Sequence, residues 1–590
     1  MQTKPGVFYS TRASKAKSLS KQYSTVYSTM EKKAHALKDY ILKQPVWKKE
    51  NLNPKTWIKT DHSKGFAEFI LPKDIGEDGG YDNKEMLLET EKDFIEAAKR
   101  NDVEGMKLLG RGVNVNAKNV HGRTALHYAV ACRNVEAVDV LLRRRAKLDL
   151  QDKHGLTAVH LAAWFGSLEI LKLLVQGGAD QSIENTEGLN MLHCAAMNNH
   201  TDIVAYIIDD LQMGELDKED QFGNRPFVLA AAHGCVPMLQ MLMEEHYNMA
   251  TMEENQVGDT PLHLAAKHGQ REALQLLLEN FHIRNEVNQA GQTALYLAAD
   301  GAHEDCVQTL LEAQCDPNIF TLSRNSPLHP VCERGHFQIV QLLINSGAQI
   351  NAQNQQMQTS FHLAVRNCHI PVIHTLLEAG CDPNLTDHMG QTALHIAAEM
   401  GKVDVVEMIL KAGVDLQIRD RQNKTALGVA ARGNMVIIVD MIIKAERYFK
   451  WKDNLQITNT DAIESLHSES PLTFKLDHSP DTKPVRDIMW DLAYKHLKRN
   501  DWKKLAEHWE FTDAQMAAIE EQWTGLNSFQ EHGNRMLLIW LHGILIEESS
   551  PSKGLYEGLL ASGNTKVAGR MLLHISVVFR VCSDLCLWMP

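Results

Sequence analysis

A short pattern, Gly-x-Thr-Ala-Leu-His at residues 122–127, recurs along the chain and constrains its fold more than any other feature. With the last residue of the pattern as a register mark, the members are His127, His160, His193, Val228, His263, Tyr296, His329, His362, His395 and Gly428. Seven spacings are 33 residues and two are 35. A fixed period of this length indicates one repeated supersecondary unit, which buries its apolar face only against neighbouring units. The chain is therefore predicted to form an elongated array.

Each unit carries the signals of a helix start. The position three residues before the mark is able to cap a helix in nine of ten units, the residues being Thr124, Thr157, Asn190, Arg225, Thr260, Thr293, Ser326, Thr359, Thr392 and Thr425. Their side-chain oxygens can accept hydrogen bonds from the first N–H groups, and three prolines then fall at the first helical position, Pro226, Pro261 and Pro327. Two residues after the mark, nine units have Ala, which predicts close packing of adjacent helices.

The period and the motif resemble the ankyrin repeat. The resemblance implies one turn and two antiparallel helices per unit over residues 120–450. Residues 90–119 lack the Thr-x-Leu-His start but keep a helical pattern and end in Val-Asn-Val-Asn, so they are predicted to be a capping repeat.

A second helical module is predicted after the array. Residues 451–482 are rich in Ser, Asp, Thr and Pro and indicate a linker. The expected helices that follow are Val485–Lys498, Asp501–His508, Thr512–Gln522, Ser528–Ile546, Lys553–Ala561 and Thr565–His574. Six helices in about 90 residues favour a compact bundle over residues 483–575, with residues 576–590 as an apolar tail.

This module resembles a death domain, through Asp501-Trp502, Ile519-Glu520 and the run from Arg535 to Trp540. The resemblance implies homotypic binding through charged surfaces and a core that contains Trp502, Leu505, Ile519, Leu538 and Trp540. The whole chain resembles the family of ankyrin repeat and death domain-containing proteins of type one. The expected fold class is all-α, with a solenoid of about ten repeats plus an N-terminal cap, followed by a six-helix death-domain bundle.

The net charge of −13 hides an asymmetry. Residues 1–60 have 13 Lys/Arg against 3 Asp/Glu, so the other 530 residues carry −23. Residues 1–89 are therefore predicted to be a basic, disordered segment. An alternative function is a membrane-tethered or nucleic-acid-tethered regulatory protein that uses this segment, through Lys15, Lys17, Lys21, Lys32 and Lys33.

No motif for catalysis was found, so the chain is predicted not to be an enzyme and to need no cofactor, metal or small-molecule substrate. The sequence has no phosphate loop of the P-loop kind, no His-Glu-x-x-His and no Gly-x-Ser-x-Gly. The repeated histidines are interpreted as hydrogen-bonding partners of turn backbone, because stacked helical layers hold equivalent atoms about 10 Å apart. Cys315 and Cys381 are interpreted as small buried residues.

Candidate contact residues follow from the position of each repeat's groove. The residues four and five places after the mark are apolar at the start of the array and charged towards its end, which makes Trp164, Phe165 and Met197 the leading contacts. The alternative is that these aromatics pack against the N-terminal part of the chain. In the bundle, the candidates are Lys495, Lys498, Arg499, Lys503, Lys504, Glu520 and Glu521. The family resemblance also implies candidate hydroxylation of the turn asparagines Asn116, Asn318, Asn351 and Asn384.

The prediction is a non-enzymatic intracellular adaptor or scaffold in signal transduction. Its groove would bind one protein and its death domain another, and the linker would adjust their spacing. A cytoplasmic location is expected, with the nucleus as the alternative. The apolar stretch at residues 572–589 contains Arg580 and Asp584, which oppose membrane insertion at about 2.5 to 3.5 kcal/mol each.

Overall fold

The computed structural model describes residues 87–109, 112–454, 472–480, 482–525, 527–547 and 549–569, and every regular element in these ranges is a helix. Three predicted segments lie wholly or mostly outside the described residues: the basic segment 1–89, the central part of the linker 451–482 and the apolar tail 576–590.

The array is a series of helix pairs. The first pair, α1 (Glu89–Lys99) and α2 (Val103–Leu108), occupies the segment predicted to be a capping repeat. The following pairs are α3 (Ala125–Ala131) and α4 (Val135–Arg143), α5 (Ala158–Trp164) and α6 (Leu168–Gln176), α7 (Met191–Met197) and α8 (Thr201–Ala205), α9 (Pro226–Ala232) and α10 (Val236–Met243), α11 (Pro261–Lys267) and α12 (Arg271–Asn280). The last pairs are α13 (Ala294–Asp300) and α14 (Glu304–Glu312), α15 (Leu328–Arg334) and α16 (Phe337–Asn345), α17 (Ser360–Arg366) and α18 (Ile370–Glu378), α19 (Ala393–Glu399) and α20 (Val403–Lys411), α21 (Ala426–Arg432) and α22 (Val436–Asn454).

The predicted caps begin these helices with one exception. Thr124 caps α3 together with His127, since each side chain accepts a hydrogen bond from the other's backbone N–H. In α15 the cap is Pro327 and not Ser326, so the predicted boundary is wrong by one residue there. Ser326 nevertheless keeps the contact typical of the caps, with its Oγ 2.9 Å from Nδ1 of His329.

Small residues set the distance between neighbouring units. The alanines two places after the mark, such as Ala129, Ala162 and Ala265, are fully buried, and so is Val331, the exception to the pattern. The first helix of each unit packs on the first helix of the next. A larger side chain at these positions would push adjacent layers apart, which explains the repeated Ala.

The glycine of the motif is required by a close approach between turns. Gly155 has φ +74°, and a Cβ added there would lie 2.7 Å from the backbone nitrogen of Thr186 in the next unit.

We expect Gly155→Ala to lower the free energy of unfolding by more than Gly178→Ala. Gly178 has φ +86° but open space around its Cβ position, so that variant carries only the backbone cost of about 1–2 kcal/mol. Urea unfolding of both variants measures the difference, and equal midpoints would show that the turns do not press together.

Arg225 stands where the other units have a capping residue, at the start of α9. Two 35-residue spacings flank this unit, and the first insertion is accommodated by a π turn at Tyr206–Asp210 and a 3₁₀ turn at Gly214–Leu216. The Arg225 guanidinium lies 3.6 Å from Asp217 and 3.2 Å from Glu253. It therefore joins the two enlarged turns on either side of its own helix.

The C-terminal bundle has its helices close to the predicted ranges. They are α23 (Lys483–Asp491, continued by a π turn at Leu492–His496), α24 (Asp501–His508), α25 (Asp513–Glu521), α26 (Ser528–Ile546) and α27 (Pro551–Ala561), and residues 565–569 are also helical. The long helix α26 contacts each of α23, α24, α25 and α27. Of the five expected core residues, four are buried, namely Trp502, Leu505, Ile519 and Trp540, while Leu538 is half-buried.

The bundle packs directly on the end of the array. Helix α26 contacts α22, and α25 contacts both α21 and α22. The predicted linker, residues 451–482, differs from the structure at both ends. At its start, α22 continues to Asn454. Towards its end, Phe474 is completely buried against Tyr448, Phe449 and His542. Apolar and aromatic contacts therefore hold residues 472–475 between the two modules.

Candidate protein-binding surfaces

The apolar start of the groove is formed at the ends of α5 and α7. Trp164 and Phe165 are both half-buried at the end of α5, so each presents part of its ring to the surface. The Nε2 of His200, in the next unit, lies 3.0 Å from the Trp164 carbonyl oxygen and fixes this turn. Met197 was predicted to be a contact residue of the groove, but it is only 6% exposed because its side chain faces the core. It is therefore not part of the candidate surface.

The far end of the groove is exposed and charged, as the residue pattern predicts. Glu333 and Arg366 lie at the ends of α15 and α17, and both are exposed. Arg334 forms an ion pair of 2.7 Å with Asp300 of the preceding unit. The surface therefore changes along the array from aromatic to ionic.

The charged residues of the bundle are less segregated than the sequence suggests. Lys503 forms an ion pair of 2.7 Å with Glu520, so one predicted basic residue and one predicted acidic residue lie together. Lys495 pairs with Asp491, one helical turn earlier. Six of the seven candidates are exposed, namely Lys495, Lys498, Arg499, Lys504, Glu520 and Glu521, and Lys503 is half-buried. A basic surface thus remains around the junction of α23 and α24.

The repeated histidines join each unit to the next. The backbone N–H of Thr124 donates to Nδ1 of His127 at 3.1 Å, which leaves Nε2–H to donate to the carbonyl oxygen of Leu156 at 3.1 Å. His160, His193, His263, His329, His362 and His395 repeat this arrangement. The interpretation as backbone partners is confirmed. In the part of the chain that the structure describes, no group of three or more His, Cys, Asp or Glu side chains could hold a metal ion.

The two cysteines are buried, as predicted. Cys315 and Cys381 are 4% and 7% exposed, and burial raises their pKa values to about 11 and about 12. Because the thiolate is the reactive form, burial disfavours reaction of both thiols near neutral pH.

The candidate hydroxylation sites have a structural role of their own. The Oδ1 of Asn116 accepts from the N–H of Lys147 at 2.8 Å, and Asn318, Asn351 and Asn384 accept from the equivalent N–H one unit later. Each asparagine therefore links adjacent turns, and hydroxylation stays a prediction.

A further set of turn residues was missed at the sequence level. Five residues before each cap, a short polar side chain accepts from the N–H groups two and four places later, as Asp152 does from His154 and Leu156. The members are Asn119, Asp152, Asn185, Asp220, Asn255, Asn288, Asn354, Asp387 and Asp420, with Thr321 accepting at one position. The signal was available, because these residues recur in the same register as the caps.

The helix pairs, their turns and the register of caps define a tandem-repeat helical solenoid. Comparison with known families gives a match to the family described as Ankyrin repeats (3 copies), in five overlapping stretches at residues 94–185, 172–252, 246–321, 313–387 and 380–453. These stretches cover more than half of the chain, which belongs to the ankyrin repeat family. Among the described residues, no helix is both long and apolar enough to cross a membrane.

Proposed function

We propose that this protein is a non-enzymatic adaptor in signal transduction that binds one protein partner through its ankyrin groove and another through its C-terminal bundle. The observation that carries the proposal is the pair of half-buried aromatic rings, Trp164 and Phe165, at the start of the groove. Aromatic side chains in partly desolvated positions are favoured anchors of protein interfaces. Ankyrin repeats are protein-interaction modules, and this supports the role of the groove.

We propose further that the bundle is a death domain that makes homotypic contacts. Support comes from the helices at the expected positions and from the burial of Trp502 and Trp540, which resemble the family's core. The exposed basic residues Lys498, Arg499 and Lys504 favour a partner with an acidic surface. The cytoplasm is the expected location.

The groove contact is tested by Trp164→Ala. We expect proximity labelling in cells to lose a defined subset of partners by tenfold or more, because truncation of a central aromatic anchor commonly costs 2 kcal/mol or more of binding free energy. Trp490→Ala is the matched control, since Trp490 is a 47% exposed tryptophan in the bundle. An unchanged partner list for a folded Trp164→Ala variant would contradict the groove assignment, and identical lists for both variants would contradict two separate surfaces.

A further inference from the structure

The last helix of the array is buried more extensively than its counterparts. Most second helices of the earlier units bury three residues, as in α4 with Ala137, Val138 and Leu141 and in α6 with its equivalents, and α20, the last before α22, buries five. Helix α22 buries eight: Ile438, Val439, Met441, Ile442, Ile443, Lys444, Ala445 and Tyr448. The terminal unit of a repeat array normally needs a polar outer face in contact with solvent, whereas on α22 even the side chain of Lys444 is buried. Another element of the chain must therefore cover it.

The bundle and residues 472–475, which precede it, supply that cover with directional contacts. Lys444 donates to the carbonyl oxygen of Lys475 at 3.0 Å, and Arg447 donates to that of Trp509 at 3.0 Å. The guanidinium of Arg447 also lies 4.4 Å from the centre of the Phe511 ring. Further contacts join Gln515 to Glu446 at 2.8 Å, Lys450 to Glu510 at 2.8 Å and Thr473 to Glu407 at 2.6 Å.

A charge pair fixes the position of α26 on α22. Arg535 is 3% exposed, and its Nε donates to Oδ1 of Asp440 at 3.0 Å. A buried guanidinium separated from its carboxylate would lose its partner without regaining full solvation, which strongly disfavours separation. The pair therefore opposes both a sliding of the bundle along the array and a looser association with it.

We propose that the bundle is the C-terminal cap of the ankyrin array, and that this docking withholds the α25–α26 face of the bundle from partners. This goes beyond the adaptor role, because it makes one binding module a structural part of the other. A homotypic partner that used the α25–α26 face would have to displace α22. In the docked form, the basic surface at the α23–α24 junction stays exposed, and it fits an acidic protein surface.

A zero-length carbodiimide cross-linker tests the docking on the full-length protein. It joins an amine to a carboxylate only in direct contact, so we expect cross-linked peptides that contain Lys450 with Glu510 and Lys475 with Asp404, whose atoms lie 2.8 Å apart in each pair. The matched control is the pair Lys503 and Glu520, within the bundle and 2.7 Å apart. Formation of the control link without the link between Lys450 and Glu510 would overturn the proposal, because the link between Lys475 and Asp404 reports only on the segment that precedes the bundle. This measurement needs no substitution, so it decides the question even if a variant fails to fold.

The capping role is tested by hydrogen exchange in Arg535→Ala. We expect amide exchange in α22 to rise at least tenfold, while exchange in α3 and α5 stays within twofold of the wild type. Arg499→Ala, at an exposed arginine of the same bundle, should change neither. Unchanged exchange of α22 in Arg535→Ala would overturn the capping role. Loss of the groove partners in the Trp164→Ala experiment is independent of this outcome, so the two proposals fail separately.

Discussion

Acidification from pH 7 to pH 5 is expected to destabilise the ankyrin array by several kcal/mol. Seven histidines link consecutive units, and each is buried with its Nδ1 close to the cap of its own unit and its Nε2 on a carbonyl oxygen of the next. At His160 the distances are 3.2 Å from the Thr157 nitrogen and 3.0 Å to the Leu189 oxygen. Protonation of Nδ1 would remove the acceptor that the cap N–H uses, so the folded array favours neutral imidazole.

The direction of the pH dependence follows from the pKa shifts. Burial lowers the pKa of His160 and His193 to about 4, although hydrogen bonds to backbone carbonyls and nearby aspartates raise it. Burial is also the main cause that lowers the pKa of His127, His263, His329, His362 and His395. The unfolded chain binds protons below about pH 6.5 whereas the folded chain does not, so stability is full above that pH and is lost as the pH falls towards 4.

The size of the effect is large because the sites repeat. A histidine with an unfolded pKa of about 6.5 and a folded pKa of about 4 loses about 2 kcal/mol between pH 7 and pH 5. His160 and His193 together therefore account for about 4 kcal/mol, which is a large part of the stability of an ordinary domain.

Urea unfolding at pH 7 and pH 5 measures this loss. We expect a clearly lower midpoint at pH 5, and His160→Gln should make the difference smaller while also lowering the midpoint at pH 7. His374→Gln is the control, because His374 is exposed on α18 and its ion pair is with Glu378 of the same helix. Equal midpoints at the two pH values would contradict the role of neutral histidine as a link between repeats.

The sequence predicted the array closely because its information is local and repeated. Cap, histidine and alanine lie within a stretch of six residues, and this stretch recurs in every unit. An exception such as Ser326 therefore moves the start of one helix by one residue and leaves the other units unchanged. Met197 was placed wrongly because its register position is exposed or half-buried in most other units, whereas in α7 the side chain is buried.

The packing of the bundle on the array has no comparable pattern in the sequence. Asp440 and Arg535 are 95 residues apart in the chain and lie in helices that are predicted separately. No period relates them, and each looks like an ordinary charged residue on a helix. Phe474 likewise stands in a segment whose composition is typical of a linker. A long-range contact that occurs once cannot be predicted from the spacing of residues in the sequence. A contact that recurs in every repeat can, because its residues recur with the same period.

Phe474→Ala is expected to give the largest loss of stability from a single substitution at the junction, about 3–5 kcal/mol. The ring is completely buried, and its centre lies 5.8 Å from that of Tyr448, 6.4 Å from that of Phe449 and 6.0 Å from that of His542. Its removal leaves a cavity that neither the array nor the bundle can close alone, because the surrounding rings belong to both α22 and α26.

Leu476→Ala is the matched control, since Leu476 lies two residues away and is 48% exposed. Its removal should cost less than about 0.5 kcal/mol, as for surface substitutions in general. Thermal unfolding should show the difference, and hydrogen exchange should rise in both α22 and α26 for Phe474→Ala. A similar loss in the two variants would mean that residues 472–475 do not hold the modules together. A rise confined to α26 would mean that the ring serves the bundle alone. A cavity shared by two modules weakens both of them. A parallel rise of hydrogen exchange in α22 and α26 is therefore the result expected if the bundle completes the array.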